Sequence, residues 1–294
     1  DSFQEDGKIS GNAVKLTEIK GLDAVLSAHS HRTVSGNVNG IPILQAYCYG
    51  RAVGKLSITF GNENKIAKIE SAVDEIYKHK DSLIEDEKGK ALFTKYDTEL
   101  KPIMGEVIGV AEGEFTHERS EKGSNPLLGA WTAEVQRQLG KADIAIQNGG
   151  GLRRTLAAGN ITVGDLYEIM PFDNYLVVFD LPGSEIKKAI DHGIMNPNIT
   201  DGQFAGLRVE YDGRKPFENR ITKITLMDGT PLDMNKKYKV VVNSFMFTGG
   251  DSYDFSKATN SAESVSIRDA LIDAIKKAKT IKPIPVDYIK DISK

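Results

Sequence analysis

Cysteine is all but missing from this chain: Cys48 is the sole one among 294 residues. No intrachain disulfide can form, which excludes a disulfide-stapled scaffold and leaves the compartment open. A surplus of positive charge is missing too. Lysine and arginine number 38 against 41 acidic residues, for a formal charge of -3. With no basic excess to displace counterions, a nucleic-acid polymer is not expected as partner. A small phosphorylated ligand, which needs only a few local arginines, stays open. No apolar run is long enough to span a bilayer, and there is no internal repeat. The chain starts Asp1-Ser2-Phe3-Gln4, without an initiator Met or a signal-like segment. It is expected to be a piece of something longer, with any targeting sequence on the remainder.

What is present supports a real core. Apolar residues make up 40% of the chain, and the length suits one large domain or two ordinary ones. The stretch that organises the chain is Asn148-Gly149-Gly150-Gly151-Leu152-Arg153-Arg154, which follows an apolar run, Ala142 to Gln147, with the look of a buried strand. Three glycines free the backbone for positive φ and for close approach to a ligand. Asn148 brings a donor and an acceptor, and Arg153 a planar fork suited to phosphate or carboxylate. The run lacks the spacing of a dinucleotide or Walker loop. Two readings stand: a site for a polar, anionic ligand, or a tight turn beside a solvated arginine.

Taken in order, the chain predicts a short helix over 11–20, a strand over 23–28, then His29-Ser30-His31 at the strand end. Two imidazoles spaced this way can reach the same or neighbouring metal ions, or they belong to a polar turn. Strands are predicted over 40–46 and 55–60. Residues 61–105 are rich in Lys, Glu and Asp and predict a strand end followed by a long exposed helix with Leu92, Tyr96, Leu100 and Ile103 at helical intervals. A strand is predicted over 106–115. A helix begins at Asn125-Pro126, with Leu128, Trp131, Val135 and Leu139 as its apolar face. Thr162 and Asp165 have capping-box spacing, and Pro171 ends that helix. Phe172 then falls on a loop. Further strands are predicted over 175–181, 207–211, 221–227 and 239–242, with 195–206 a loop, and helices over 184–192 and 266–278.

Arg119, Asn148, Arg153, Phe172, Phe245 and Asp251 all fall on loops or element ends. Together they offer cations for phosphate, an amide and an acid for sugar hydroxyls, and flat apolar faces for a base.

From Ser124 onward the chain resembles the C-terminal domain of the secreted 5′-nucleotidases, a family that also holds UDP-sugar hydrolases and 2′,3′-cyclic-nucleotide 2′-phosphodiesterases. The resemblance rests on Asn148-Gly-Gly-Gly-Leu-Arg153, on Ile161-Thr162 through Asp165-Leu166 to Pro171-Phe172, and on Phe245 through Gly249-Gly250-Asp251-Ser252-Tyr253. Residues 21–60 resemble the tail of the family's N-terminal metallophosphatase domain, with Ala28-His29-Ser30-His31 in place of a Gly-His-x-His motif. An α+β architecture is implied. Residues 1–62 would be an incomplete α/β layer of a calcineurin-like metallophosphatase domain, 63–105 a linker with a helix, and 106–294 a complete nucleotide-binding domain.

The resemblance also implies roles. Phe172 and Phe245 would stack the base, Asp251 would take ribose hydroxyls, Asn148 would hold base or sugar edges, and Arg119 and Arg153 would hold phosphate. Gly150 and Gly151 would let the backbone approach the substrate. His29 and His31 would be ligands in a centre of two divalent ions, zinc, manganese or similar, which activates water for attack at phosphorus. The family's other metal motifs and its transition-state histidine are not in this chain, so no catalytic residue is assigned within it. The implied activity is hydrolysis of nucleotides to nucleoside and phosphate by a longer parent, together with the missing metallophosphatase segment. The alternatives are a nucleotide-binding module inactive by itself and a UDP-sugar diphosphatase. An extracellular, periplasmic or cell-wall location is implied in the same way.

Overall fold

A computed structural model describes residues 2–117, 126–196, 199 and 201–293. It divides into two compact units, Asp1–Thr94 and Lys95–Lys294.

In the first unit, β1 (Phe3–Glu5) and β2 (Lys8–Ser10) form a hairpin ahead of α1 (Asn12–Leu16). A three-stranded sheet follows, in the order β3 (Val25–Leu26), β5 (Ile41–Ala46), β4 (Thr33–Val38). Its small core joins Ala13, Val25, Val34 and Ile43. The polar, glycine-containing β4 escaped the sequence pattern because only Val34 along it is buried. Next, β6 (Val53–Phe60) pairs with β7 (Ile66–Asp74) over its whole length. The sequence pattern places residues 66–74 in a linker, whereas they form a strand. Their period-two burial is carried by residues that are only half-buried, so charge masks it. The strand predicted over 55–60 as half-buried has no buried residue. The expected exposed helix is α2 (Glu87–Met104), which crosses the division between the units. No residue of it is buried, and Leu92, Tyr96, Leu100 and Ile103 stand exposed.

The second unit is built on a five-stranded sheet in the order β12 (Gly202–Ala205), β9 (Ile144–Asn148), β15 (Lys237–Asn243), β11 (Tyr175–Pro182), β16 (Thr259–Ser266). Only β9 and β15 run parallel; the other pairs are antiparallel. Side chains alternate across a strand, and both faces are apolar here. Ile144, Ile146, Val177, Phe179, Val240 and Val242 face one core, shared with Ile186 and Ile190 of α5 (Gly183–Gly193). Ala145, Leu176 and Val241 face the other, shared with Leu128 of α3 (Leu127–Leu139), Leu166 and Ile169 of α4 (Val163–Ile169), and Leu271 and Ile275 of α7 (Ile267–Ala278). Each of these side chains apart from Ala145 contributes roughly 1.5–3 kcal/mol on burial. Two smaller sheets flank this one. One is β10 (Gly159–Thr162), β8 (Val107–Ala111), β17 (Thr280–Ile281); the other is β14 (Ile221–Leu226), β13 (Leu207–Tyr211), β18 (Ile289–Asp291).

The predicted start of α4 is present in full. Thr162 Oγ1 accepts from Asp165 N at 3.1 Å, and the Asp165 carboxylate accepts from Thr162 N at 2.8 Å. Two other expectations change. The face of α3 turned to the sheet is Leu128, Thr132, Ala133 and Gln136, while Leu139 is exposed. Polar residues face inward because Gln147 of β9 lies opposite: Gln136 Nε2 donates to Gln147 Oε1 at 2.8 Å. Within 195–206, Gly202–Ala205 is a strand paired with β9. A strand for which the sequence pattern gives no signal is β16, an exposed edge strand that is polar apart from Ala262 and Val265 and so carries no apolar alternation to read.

Candidate functional site

The buried strand β9 ends at Asn148, whose side chain is engaged on every side. Its Oδ1 accepts from Asn243 Nδ2 at 2.8 Å and from Gln147 Nε2 at 3.0 Å. Its Nδ2 donates to the Asp251 carboxylate at 2.7 Å, and its backbone N–H faces Met246 Sδ at 3.2 Å. Two donors fix the oxygen, so the amide nitrogen can point only at Asp251.

Gly149–Gly151 form one 3₁₀ turn, and none of the three has positive φ. The freedom expected there from left-handed backbone is not used. What glycine supplies is space: a Cβ on Gly151 would lie 2.5 Å from Gln147 Nε2 and 3.0 Å from Asn148 Oδ1. Arg153 Nη1 donates back to Gly150 O at 3.0 Å, and its guanidinium carbon lies 5.7 Å from the centre of the Phe172 ring. Phe172, just after α4, is half exposed.

The second glycine stretch is α6 (Ser244–Phe247) followed by a turn over Gly250–Ser252. Asn243 caps α6 by accepting from Met246 N at 2.8 Å. Gly249 is left-handed, and so are Asp251 (φ 52) and Ser252 (φ 63). Two non-glycine residues held there store strain, a feature that clusters at ligand clamps and active sites. Phe245 lies against Gly250, where a Cβ would come within 2.5 Å of both the ring and the Phe245 carbonyl. The turn is also held from α5: a His192 ring nitrogen lies 2.8 Å from Asp251 O, which can only accept. Tyr253, fully buried beneath, crosses His192 edge-on at 4.8 Å between ring centres.

The structure thus links Asn148 to Asp251 directly, Arg153 to Gly150 and Phe172, and Phe245 to Gly250. Arg119 lies outside the described residues. His29 and His31 belong to the other unit, at positive φ on either side of Ser30. Ser30 Oγ accepts from Gln45 Nε2 at 2.6 Å and donates to Ser2 O at 2.6 Å, which anchors the loop between the two imidazoles. Among the described residues no group of three or more His, Cys, Asp or Glu could hold a metal ion. No described helix is long and apolar enough to cross a membrane.

Sequence patterns missed Gln147, Asn243 and His192, which hold Asn148 and Asp251 through hydrogen bonds from separate elements. Only Asn243 left a local trace, as a cap residue ahead of a short helix.

Residues 107–258 match the family model of the 5′-nucleotidase C-terminal domain. The chain belongs to this family. It is 32% identical over 227 residues to the endonuclease YhcR of Bacillus subtilis, covering 77% of this chain and 18% of that protein. It is 27% identical to the trifunctional nucleotide phosphoesterase YfkN of the same organism, covering 83% of this chain and again 18% of the relative. A solved 5′-nucleotidase precursor from Thermus thermophilus superposes with a TM-score of 0.68 at 28% identity, over 92% of this chain and 58% of that one. The chain thus spans about a fifth of these two relatives and just over half of the solved structure. The mixed α/β fold of the second unit agrees with that membership.

Proposed function

We propose that this chain is part of a metal-dependent nucleotide phosphohydrolase, acting on 5′-nucleotides or 2′,3′-cyclic nucleotides, and that its second unit is the nucleoside pocket. The observation that carries this reading is the Asn148–Asp251 bond of 2.7 Å. It makes one polar edge from two glycine-rich loops; half-exposed Phe245 lies against Gly250 of one, and half-exposed Phe172, on the segment after α4, lies against Arg153 of the other. Rings on polar loops are poorly accounted for as core. In this reading Phe172 and Phe245 stack the base, Asp251 takes ribose hydroxyls, and Arg153, with Arg119, meets phosphate. Residues 1–62 are the closing part of a metallophosphatase domain that contributes His29 and His31 to a two-ion centre, completed by a segment outside this chain. Bound there, the ions would supply activated water and charge neutralisation at phosphorus. The residues of the chain itself bind and orient the nucleoside, so the chain alone binds without turning over. Family resemblance favours an extracellular or cell-wall setting.

Calorimetry with adenosine and adenosine monophosphate tests the pocket. Phe172→Ala should weaken both ligands about 5- to 150-fold, the equivalent of one lost base stack. Arg153→Ala should weaken the monophosphate more than the nucleoside. Failure of both ligands to bind the folded chain at millimolar concentration would sink the pocket.

A further inference from the structure

Phe172 sits between α4 and β11 on a short segment that is held from outside on both sides of the ring. Arg268, in the first turn of α7, donates from Nη1 to Met170 O at 3.0 Å and from Nη2 to Asp173 Oδ1 at 2.6 Å. Its guanidinium carbon lies 3.9 Å from the centre of the Tyr167 ring of α4, and the residue is 8% exposed. The adjacent Ile267 N donates to Asn174 O at 2.9 Å. One residue on, Tyr175 N donates to Ser244 Oγ at 3.1 Å, and Ser244 directly precedes Phe245. A continuous path of short bonds therefore runs from α7 through the Phe172 segment to the base of the Phe245 loop.

We propose that Arg268 is a positioning residue for base recognition: by gripping the backbone at Met170 and the side chain of Asp173, it fixes the ring of Phe172 for a purine or pyrimidine. This rests on the nucleoside-pocket reading. The role needs arginine in particular. A planar fork reaches two acceptors while lying on an aromatic face, which the point charge of lysine cannot do. Burying a guanidinium is costly, and Arg268 Nε has no hydrogen-bond partner among the described residues. A methionine of similar reach would pack there without that cost, so stability alone gives a weak reason for the charge. Arg153 meets the Phe172 ring through its guanidinium, and its backbone N–H donates to Ile169 O at 2.8 Å, at the end of α4.

The test compares adenosine monophosphate with ribose 5-phosphate, which lacks the base, on the 294-residue chain. Affinities come from calorimetry, with thermal midpoints alongside. In the wild type, a preference for the monophosphate is the base clamp itself. Its absence would remove the pocket reading and this inference together. Given that preference, Arg268→Lys should lower monophosphate affinity roughly 5-fold or more, within the range of one base stack, and leave ribose 5-phosphate unchanged. Asp173→Ala removes an exposed carboxylate and leaves Arg268 its bond to Met170 O; it should shift the ratio in the same direction by less, with the thermal midpoint reporting that the chain stays folded. An unchanged ratio in both variants overturns the proposal. So does an equal loss of both ligands, which would mark Arg268 as purely structural. If Arg268→Lys does not fold, Asp173→Ala decides alone.

Discussion

Asn148 donates its side-chain amide to the carboxylate of Asp251 across 2.7 Å, and so joins the end of a buried strand to a strained turn. The direction of that bond is set elsewhere, by Gln147 and Asn243, which both donate to Asn148 Oδ1. Asn148 cannot flip its amide without breaking all three of these bonds. Asp251→Ala leaves the Asn148 nitrogen without its acceptor in a buried place. The expected loss is about 1–3 kcal/mol of stability, read from urea unfolding, together with lower affinity for adenosine. Asp251→Asn keeps an acceptor oxygen and should lose less stability. Equal stability losses in the two variants would mean that Asn148 is satisfied by something other than this bond.

Asn243 serves two ends at once, as cap of α6 and as donor to Asn148. Asn243→Asp keeps the cap, since a carboxylate accepts from Met246 N as well as an amide does. It removes the donor and faces Asn148 Oδ1 with another acceptor. The expected result is a folded protein in which Asn148 is pushed from its present seat by the new carboxylate, with weaker adenosine binding. A crystal structure or side-chain amide NMR shifts would show the displacement. An unmoved Asn148 with full affinity would contradict this account.

Much of this site can be read from the sequence because its parts announce themselves locally. A capping box needs only Thr162 and Asp165 at their spacing, and Pro171 stops α4 by its own chemistry. Glycines mark both loops, and aromatics accompany the second. The support behind them cannot be read in that way. Gln147, on an apolar strand, looks like an interruption until Gln136 is placed opposite it. Arg268 looks like one solvated charge of a helix until its fork is seen on Met170 and Asp173. The edge strand β16 and the hairpin strand β7 hide for a related reason: a strand that buries little leaves no period in its hydrophobicity.

Gly250 is a packing requirement of Phe245. A Cβ there would lie 2.5 Å from the ring and equally close to the Phe245 carbonyl, which a rotamer change does not move. Gly250→Ala should therefore shift the backbone of α6, lower the thermal midpoint and weaken nucleoside binding together. Retention of full affinity would show that the Phe245 ring does not need its present seat.

Metal binding should separate the chain from its parent. Two imidazoles fall short of the four to six donors that a hydrolytic ion wants. Zinc or manganese titrated into the 294-residue chain should bind weakly or not at all. On the proposed function, His29→Ala in a protein that also carries the metallophosphatase segment should reduce turnover far more than nucleoside affinity. Tight, stoichiometric binding to the chain alone would mean that further ligands come from within it.

Tyr253 gives the site a signature at high pH. Burial, first, and then the charges of Asp251 and Asp201 raise its hydroxyl pKa far above the ordinary value of 10.0. Tyr211 moves the same way, to about 12, through burial and then the charge of Asp291. In both cases the folded chain keeps a proton that the unfolded chain releases. The unfolded state then binds fewer protons, and stability falls as pH rises. The contribution is complete below pH 10 and is lost progressively above it. Tyr253→Phe removes one of the two groups. Its hydroxyl is buried with no hydrogen-bond partner among the described residues, so deleting it should change stability at pH 7.5 by no more than about 0.5 kcal/mol, in either direction. Urea midpoints followed from pH 8 to about 11 should fall less steeply in Tyr253→Phe than in the wild type. Parallel curves would mean that the hydroxyl ionises without unfolding. A large loss at pH 7.5 would mean that it holds a buried water against the turn that carries Asp251.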